Sequence, residues 1–456
     1  MEGRRTRPLA IGPVENTYPL RSMMQHHERP EPALVSAILE AVDHLHGEQI
    51  AFLTRLVQCS SLRGAEDGAQ LLVEDELARR GYGVTRVPTC RIAHDARFSP
   101  GEIDYSRTWN LLARRHEGGN GRSLILNAHV DVVPEGPADR WTHAPFGGTV
   151  EGDWMYGRGA GDMKAGLAAI VFALDALERA GVQPAGQVQI HAVVEEEITG
   201  NGSASLLAQG HMADAVLIPE PTDEQLVRAN SGVIKFRVTL QGSPAHPREP
   251  ESGHSAIDLA VYLATRLKEL EARWNAERVD HPGFEGFSNP AALTIGTISG
   301  GEWIASLPAS CAFEGRVGFY PGDLPAERQR EFERFVAHVA DTSDEFRGCR
   351  PPLVEWVGVC QPGYLLAPGG TAEVALDVAQ RMAVETNSAL RDFVMPCYLD
   401  STLYANYAGI PSLVYGPIVQ NIHGFDERVS LSSLARVTKT IALFIAMWCG
   451  VRRETP

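Results

Sequence analysis

An α/β fold with a second, smaller unit inserted into it is what this sequence predicts. Two observations carry that reading. Short apolar strand patterns alternate with helical ones through residue 229, and the order then becomes β-α-β-β-α-β before the first texture resumes. The length of 456 residues agrees, because it exceeds what one simple core holds. The expected division is a main unit over 1–229 and 361–456, interrupted by a ferredoxin-like unit over 230–360.

Residues 1–32 carry Pro, Arg and His without periodicity and read as a loose arm. Apolar spacing is helical from Ala33 to Leu56 and again from Asp67 to Arg80. Ser123 to His129 is a short strand running into a polar turn. Ala165 to Ala180 is a helix that Gly181 stops. A strand at Gln187 to Val194, a helix near Gly202 to Gln209 and a strand at Ala215 to Pro219 follow, which argues for a largely parallel sheet. In the inserted unit, strands are expected at Val233 to Gln241, Ala291 to Ile298, Ala312 to Val317 and Leu353 to Val357. Helices at Ser255 to Ala272 and Leu324 to Ala340 separate them. The turn signal Pro368-Gly369-Gly370 comes next, and α/β texture resumes through Ser412 to Gly416.

Composition is that of a globular chain, 44% hydrophobic and 21% charged. A net charge of -16 argues against a nucleic-acid-binding surface, which needs clustered Lys and Arg. No segment reads as long and apolar enough to span a membrane. The basic start, Met1 to Arg7, is followed by no apolar core, so no secretory signal is expected. Seven scattered cysteines without a Cys-x-x-Cys read as reduced thiols in a cytoplasm, not as a sulfur-ligated zinc site.

The chemistry concentrates in five places. Three carboxylates in a row, Glu195-Glu196-Glu197, follow an apolar strand and would repel one another unless cations held them. His129 and Asp131 close an earlier strand, spaced so that Asp131 can hydrogen-bond the imidazole and fix its tautomer. Within Gly157-Arg158-Gly159-Ala160-Gly161-Asp162-Met163-Lys164, a Gly-rich turn presents Asp162 at the mouth of a helix, where N–H groups favour an anion. Glu220 is locked between Pro219 and Pro221, and His423 lies in Asn421-Ile422-His423-Gly424-Phe425-Asp426-Glu427. Taken singly, each has an ordinary explanation as a cap, a strand end or a solvated side chain. Taken together, most sit at strand C-terminal ends, where open α/β sheets build sites. Two histidines with several carboxylates suit zinc, cobalt or manganese better than copper.

With these motifs in order along nearly the whole chain, the sequence resembles the M20 family of di-zinc metallopeptidases and amidohydrolases. The resemblance implies a zinc-hydrolase-type catalytic domain and an inserted lid and dimerisation domain. It implies two zinc ions bridged by Asp162, one also bound by His129 and Glu220, the other by Glu197 and His423. Glu196 matches the general base, Asp131 the acid that orients His129, and Glu195 a residue that contacts no metal. His246 matches a histidine that reaches across a homodimer to the partner's oxyanion, and Arg316 an arginine that binds a substrate carboxylate. The implied activity is hydrolysis of a small N-acylated amino acid or related amine. A dipeptidase or carboxypeptidase on the same metal centre, a non-catalytic metal-binding scaffold and a structural calcium site are the alternatives. Two departures loosen the substrate: Ala305 stands where many members have Asn, and Asp400-Ser401-Thr402 lacks the arginine of the family's Thr-Asp-x-Arg.

Overall fold

Helix α1 (Pro32–Gln58) starts on a proline, whose missing N–H costs nothing in a first turn, and buries Ile38, Val42, Phe52 and Leu56. The computed structural model describes residues 30–89, 104–115, 118–246, 248–367, 369–386 and 391–453. The expected N-terminal arm lies outside them up to residue 29, as do Cys90 and Pro368. Helix α2 (Asp67–Arg79) precedes strands β1 (Gly83–Pro88), β2 (Trp109–Arg114) and β3 (Leu124–His129). Helix α3 (Ala165–Arg179), strand β4 (Val188–Val193), helix α4 (Asn201–Ala208) and strand β5 (Val216–Ile218) follow. Then come β6 (Gly232–Gln241), α5 (Ala256–Ala276), β7 (Leu293–Gly300), β8 (Ser310–Phe319), α6 (Pro325–Thr342) and β9 (Leu353–Gln361). Helices α7 (Thr371–Thr386) and α8 (Ser401–Ala408), strand β10 (Ser412–Val414) and helix α9 (Leu431–Cys449) end the run.

The main sheet has the order β1-β2-β4-β3-β5-β10. Strands β4, β3, β5 and β10 run parallel, and β1 and β2 add antiparallel at one edge, so the sheet is mixed. Every residue of β3 is buried, as expected of a parallel strand covered on both faces. Helices α1, α3 and α9 pack against one another, and α3 is buried from Ala165 through Leu174.

One expectation is corrected here. Helix α9 is long and apolar enough to cross a membrane, with 19 residues and a mean hydropathy of 1.2, yet 78% of that window is buried inside the fold. Arg436 and Lys439 interrupt its apolar run in the sequence, and both are paired, with Glu224 and Asp43. It is a core helix, capped by Ser430, whose hydroxyl accepts from the Ser433 N–H.

The second sheet is wholly antiparallel in the order β7-β8-β6-β9. With α5 and α6 in their places, this is the ferredoxin-like arrangement the element order predicts. Its own core gathers Phe236, Phe313, Phe332, Trp274 and Val339. The chain enters and leaves it side by side, since Asn230 pairs with Tyr364.

Strand β4 carries two polar residues in the core, Gln189 and His191. The His191 Nδ1 meets the Tyr404 hydroxyl at 3.0 Å, and burial pushes its pKa down to about 3, so the ring is neutral. The unfolded chain takes up a proton near pH 6.5 that the fold refuses until about pH 3. The contribution is therefore intact above pH 6.5 and is lost as pH falls, at up to about 1.4 kcal/mol per pH unit. His191→Asn is expected to shrink the drop in urea midpoint between pH 7 and pH 5. An unchanged drop would contradict this assignment.

Candidate metal centre

Three parallel strands deliver their C-terminal ends to one place. His129 is the last residue of β3, the triplet follows β4, and Glu220 lies just beyond β5. Close backbone packing brings them together. A Cβ on Gly202 would lie 2.0 Å from the Val194 carbonyl, so only glycine lets α4 begin against the strand that ends in the triplet. Likewise, a Cβ on Gly416 would lie 2.0 Å from the Glu220 carbonyl.

The Asp162 carboxylate sits between two imidazoles. Its Oδ1 is 3.2 Å from His129 Nε2, and its Oδ2 is 3.3 Å from His423 Nε2. Each imidazole faces a second carboxylate: Glu220 Oε1 at 3.8 Å from His129 Nε2, and Glu197 Oε1 at 3.1 Å from His423 Nε2. His129, Asp162 and Glu197 offer donor atoms that all lie within 4.8 Å of one another. The five residues expected to bind metal are thus gathered, from positions 129 to 423 of the chain.

The charges in this cluster distort one another. Burial pushes Glu196 and Glu220 well above the usual carboxylate range; neighbouring carboxylates add to this and His129 opposes it. Burial disfavours a charged His129, but Asp162, Glu220, Asp131 and Glu196 outweigh it and hold the imidazole well above its ordinary pKa. His423 is raised to about 11 against burial, by the Glu197 charge and the Asp162 hydrogen bond. Asp162 is held far below its ordinary value despite burial, because both histidines face it. Buried carboxylates in such excess call for cations, and the nitrogen and oxygen donors fit divalent ions of borderline hardness.

Two expected contacts turn out differently. The Nδ1 of His129 donates to the main-chain carbonyl of Asp131 at 2.9 Å, while the Asp131 carboxylate stands 3.6 Å away. Strand β3 ends at His129, so the alternation that would align the two side chains stops there. The tautomer is still set, with Nε2 left to face Asp162. The Asp131 carboxylate instead accepts from the Glu196 N–H at 3.4 Å and the Glu197 N–H at 3.2 Å, and burial raises its pKa to about 7. Asp162, for its part, lies in the turn Ala160–Lys164 that runs into α3, but its own backbone is extended, with φ -112° and ψ 97°. Helix α3 starts at Ala165, and the N–H groups of Gly161 and Asp162 point to Glu427 Oε1.

His246 is not brought to the cluster within this chain. It is exposed on the loop after β6, where its Nδ1 accepts from the Arg248 N–H. Arg316 lies on β8 opposite Lys235 of β6, and its Nη2 is buried without a hydrogen-bond partner among the described residues. A second gathering of acids and histidine, Glu277, His281 and Asp323, already has Arg328 paired with Glu277 and Asp323, and is an ion-pair network.

Four residues that hold the triplet carry no signal in the sequence. Arg63 grips the buried Glu195 carboxylate with two bonds of 2.6 and 3.0 Å, and Tyr105 and Thr199 donate to it at 2.8 Å. The first charge of the triplet is therefore held by arginine, and Glu195 takes a left-handed φ of 68° that turns Glu196 and Glu197 toward the histidines. Lys235 reaches in from the second sheet and donates to the Glu197 carbonyl at 2.6 Å and the Ile198 carbonyl at 3.3 Å.

Comparison with known proteins identifies the family and the fold. The family model described as peptidase family M20/M25/M40 matches residues 125–447. The chain is 29% identical over 350 residues to N-formyl-4-amino-5-aminomethyl-2-methylpyrimidine deformylase from Bacillus subtilis, covering 73% of this chain and 80% of that protein. It is 28% identical over 403 residues to succinyl-diaminopimelate desuccinylase from Dinoroseobacter shibae, covering 86% of this chain and 96% of that one. Among solved structures, the dipeptidase Dug1p from Saccharomyces cerevisiae superposes with a TM-score of 0.73 at 14% identity, over 92% of this chain and 99% of that one.

Proposed function

The chain belongs to peptidase family M20/M25/M40, and on that premise we propose that it hydrolyses the amide bond of a small N-acylated amino acid or related amine with two divalent metal ions. The observation that carries this reading is the Asp162 carboxylate, one oxygen turned to His129 and the other to His423. His129, Glu220 and Asp162 would hold one ion, and His423, Glu197 and Asp162 the other. Zinc suits this donor set, with cobalt or manganese as alternatives. Divalent ions held there would supply an activated water, a nucleophile at neutral pH. Glu196 stands beside His129 and Glu220 with no metal-ligand role, and its raised pKa suits a base that takes the water's proton and returns it to the leaving nitrogen. Asp131 holds the peptide that carries Glu196 and Glu197. Arg316, with a buried nitrogen lacking a partner among the described residues, receives a substrate carboxylate.

Relatives named as a deformylase and a desuccinylase favour an N-acyl substrate. The likeness to Dug1p keeps a dipeptidase as the second reading. A panel of N-formyl, N-acetyl and N-succinyl amino acids alongside dipeptides separates them. The expected result is a kcat/KM on one N-acyl class at least about tenfold above any dipeptide, a difference of about 1.4 kcal/mol. The reverse ratio supports the dipeptidase, and bound metal without turnover on the whole panel supports a scaffold.

The reading includes a homodimer through the second sheet. Among the described residues, strand β7 is an edge, unpaired on one side, and Ile298 on it is exposed. Val261 and Ile257 on α5, with Trp303 and Ile304 after β7, are exposed as well. Such an association leaves His246 free to serve the partner's site. Val261→Asp is expected to shift the mass measured by light scattering from dimer to monomer. A wild-type protein that is monomeric at micromolar concentration would contradict the association.

A further inference from the structure

Arg158 and Glu427 lie in the two motifs that supply Asp162 and His423, yet the chemistry proposed above uses neither. Both are buried, with 2% and 0% of their surface exposed. The Arg158 Nη1 donates to Glu427 Oε2 at 2.5 Å, and Glu427 Oε1 accepts from the N–H groups of Gly161 at 3.1 Å and Asp162 at 3.2 Å. The other arm of the guanidinium, Nη2, donates to the His423 carbonyl at 3.1 Å, and the group packs on the Trp141 ring at 5.3 Å. One ion pair thus touches the peptides of two candidate ligands on different segments.

The segment that carries His423 needs such a hold. Asn421, His423 and Asp426 all take left-handed φ values, so three of six residues sit in a sparsely populated conformation. Strands of two residues before it and three after it lend little support. Stability alone does not account for the pair, because apolar residues of the same volume serve a core as well as a buried ion pair. What a guanidinium adds is two donors in a rigid fork, directed at two targets.

We propose that Arg158 and Glu427 form a positioning pair that sets Asp162 and His423 at ion-binding separation before any ion arrives. The ion on the His423 and Glu197 side depends on it most, since Arg158 reaches the His423 carbonyl itself. This rests on the two-ion reading. Arg158→Lys tests it: the ammonium keeps a charge beside Glu427 but lacks the second arm.

The experiment titrates metal-free wild type and R158K with cobalt(II), following calorimetry and visible absorption, with the urea midpoint as the control for folding. The expected result is a first ion bound as in wild type and a second bound about 10–100-fold more weakly. If R158K does not fold, the double variant R158M/E427Q removes both charges, and its second ion is expected to be weakened in the same way. A wild type that binds fewer than two ions overturns the two-ion reading. A wild type that binds two, with second-ion affinity in R158K or the double variant within about twofold of it, overturns the positioning pair alone.

Discussion

Asp162→Ala is expected to cost the protein both metal ions and all measurable turnover. No other described carboxylate is shared by the two histidines, its oxygens lying 3.2 Å from His129 Nε2 and 3.3 Å from His423 Nε2. Removing it leaves each remaining pair, His129 with Glu220 and His423 with Glu197, one donor short. A water that is no longer activated ionises only far above neutral pH, so hydroxide at neutral pH falls by many orders of magnitude. Elemental analysis after dialysis, run beside an activity assay, reads both effects. Two ions per chain in the variant would show that Asp162 does not bridge.

Glu196→Ala separates chemistry from metal binding. The residue is buried beside His129 and Glu220, and it follows a turn that Asp131 and Arg63 hold by other contacts. Its removal is expected to lower kcat by about 10²–10⁴-fold, the usual worth of a general base, with KM little changed. Metal content is expected to stay at the wild-type value, because Glu196 is not among the ligands. Glu196→Gln keeps the volume and tests the same proton. A kcat within about threefold of wild type in either variant would remove Glu196 from the mechanism.

The residues proposed to hold metal could be picked out in the sequence because they stand at ends of patterns. His129, the triplet and Glu220 each follow an apolar strand, and a polar residue at that point is conspicuous in sequence. The inserted unit was legible too, since its strands and helices are long and its topology follows from their order. Strand β1 was not, because four of the six residues in Gly83–Pro88 are exposed and show no alternation. The supports of the site were hidden for another reason. Arg63 and Glu195 are 132 residues apart, and Arg158 and Glu427 are 269 apart, so only the fold shows that they meet. Asp162 marks the boundary between the two cases: its place in the site was readable from its motif, but the N–H groups near it serve Glu427, which no local rule foretells. The triplet itself divides accordingly, with Arg63 holding Glu195 while Glu197 meets His423.

The proposed chemistry depends on two ions meeting at Asp162. Titration of the metal-free chain with zinc, cobalt or manganese, with turnover of an N-acyl amino acid followed in the same samples, tests it most directly. Activity is expected to rise with ion content and saturate at two ions per chain, with calcium failing to replace them. Saturation at one ion, or full activity in the metal-free chain, would contradict it.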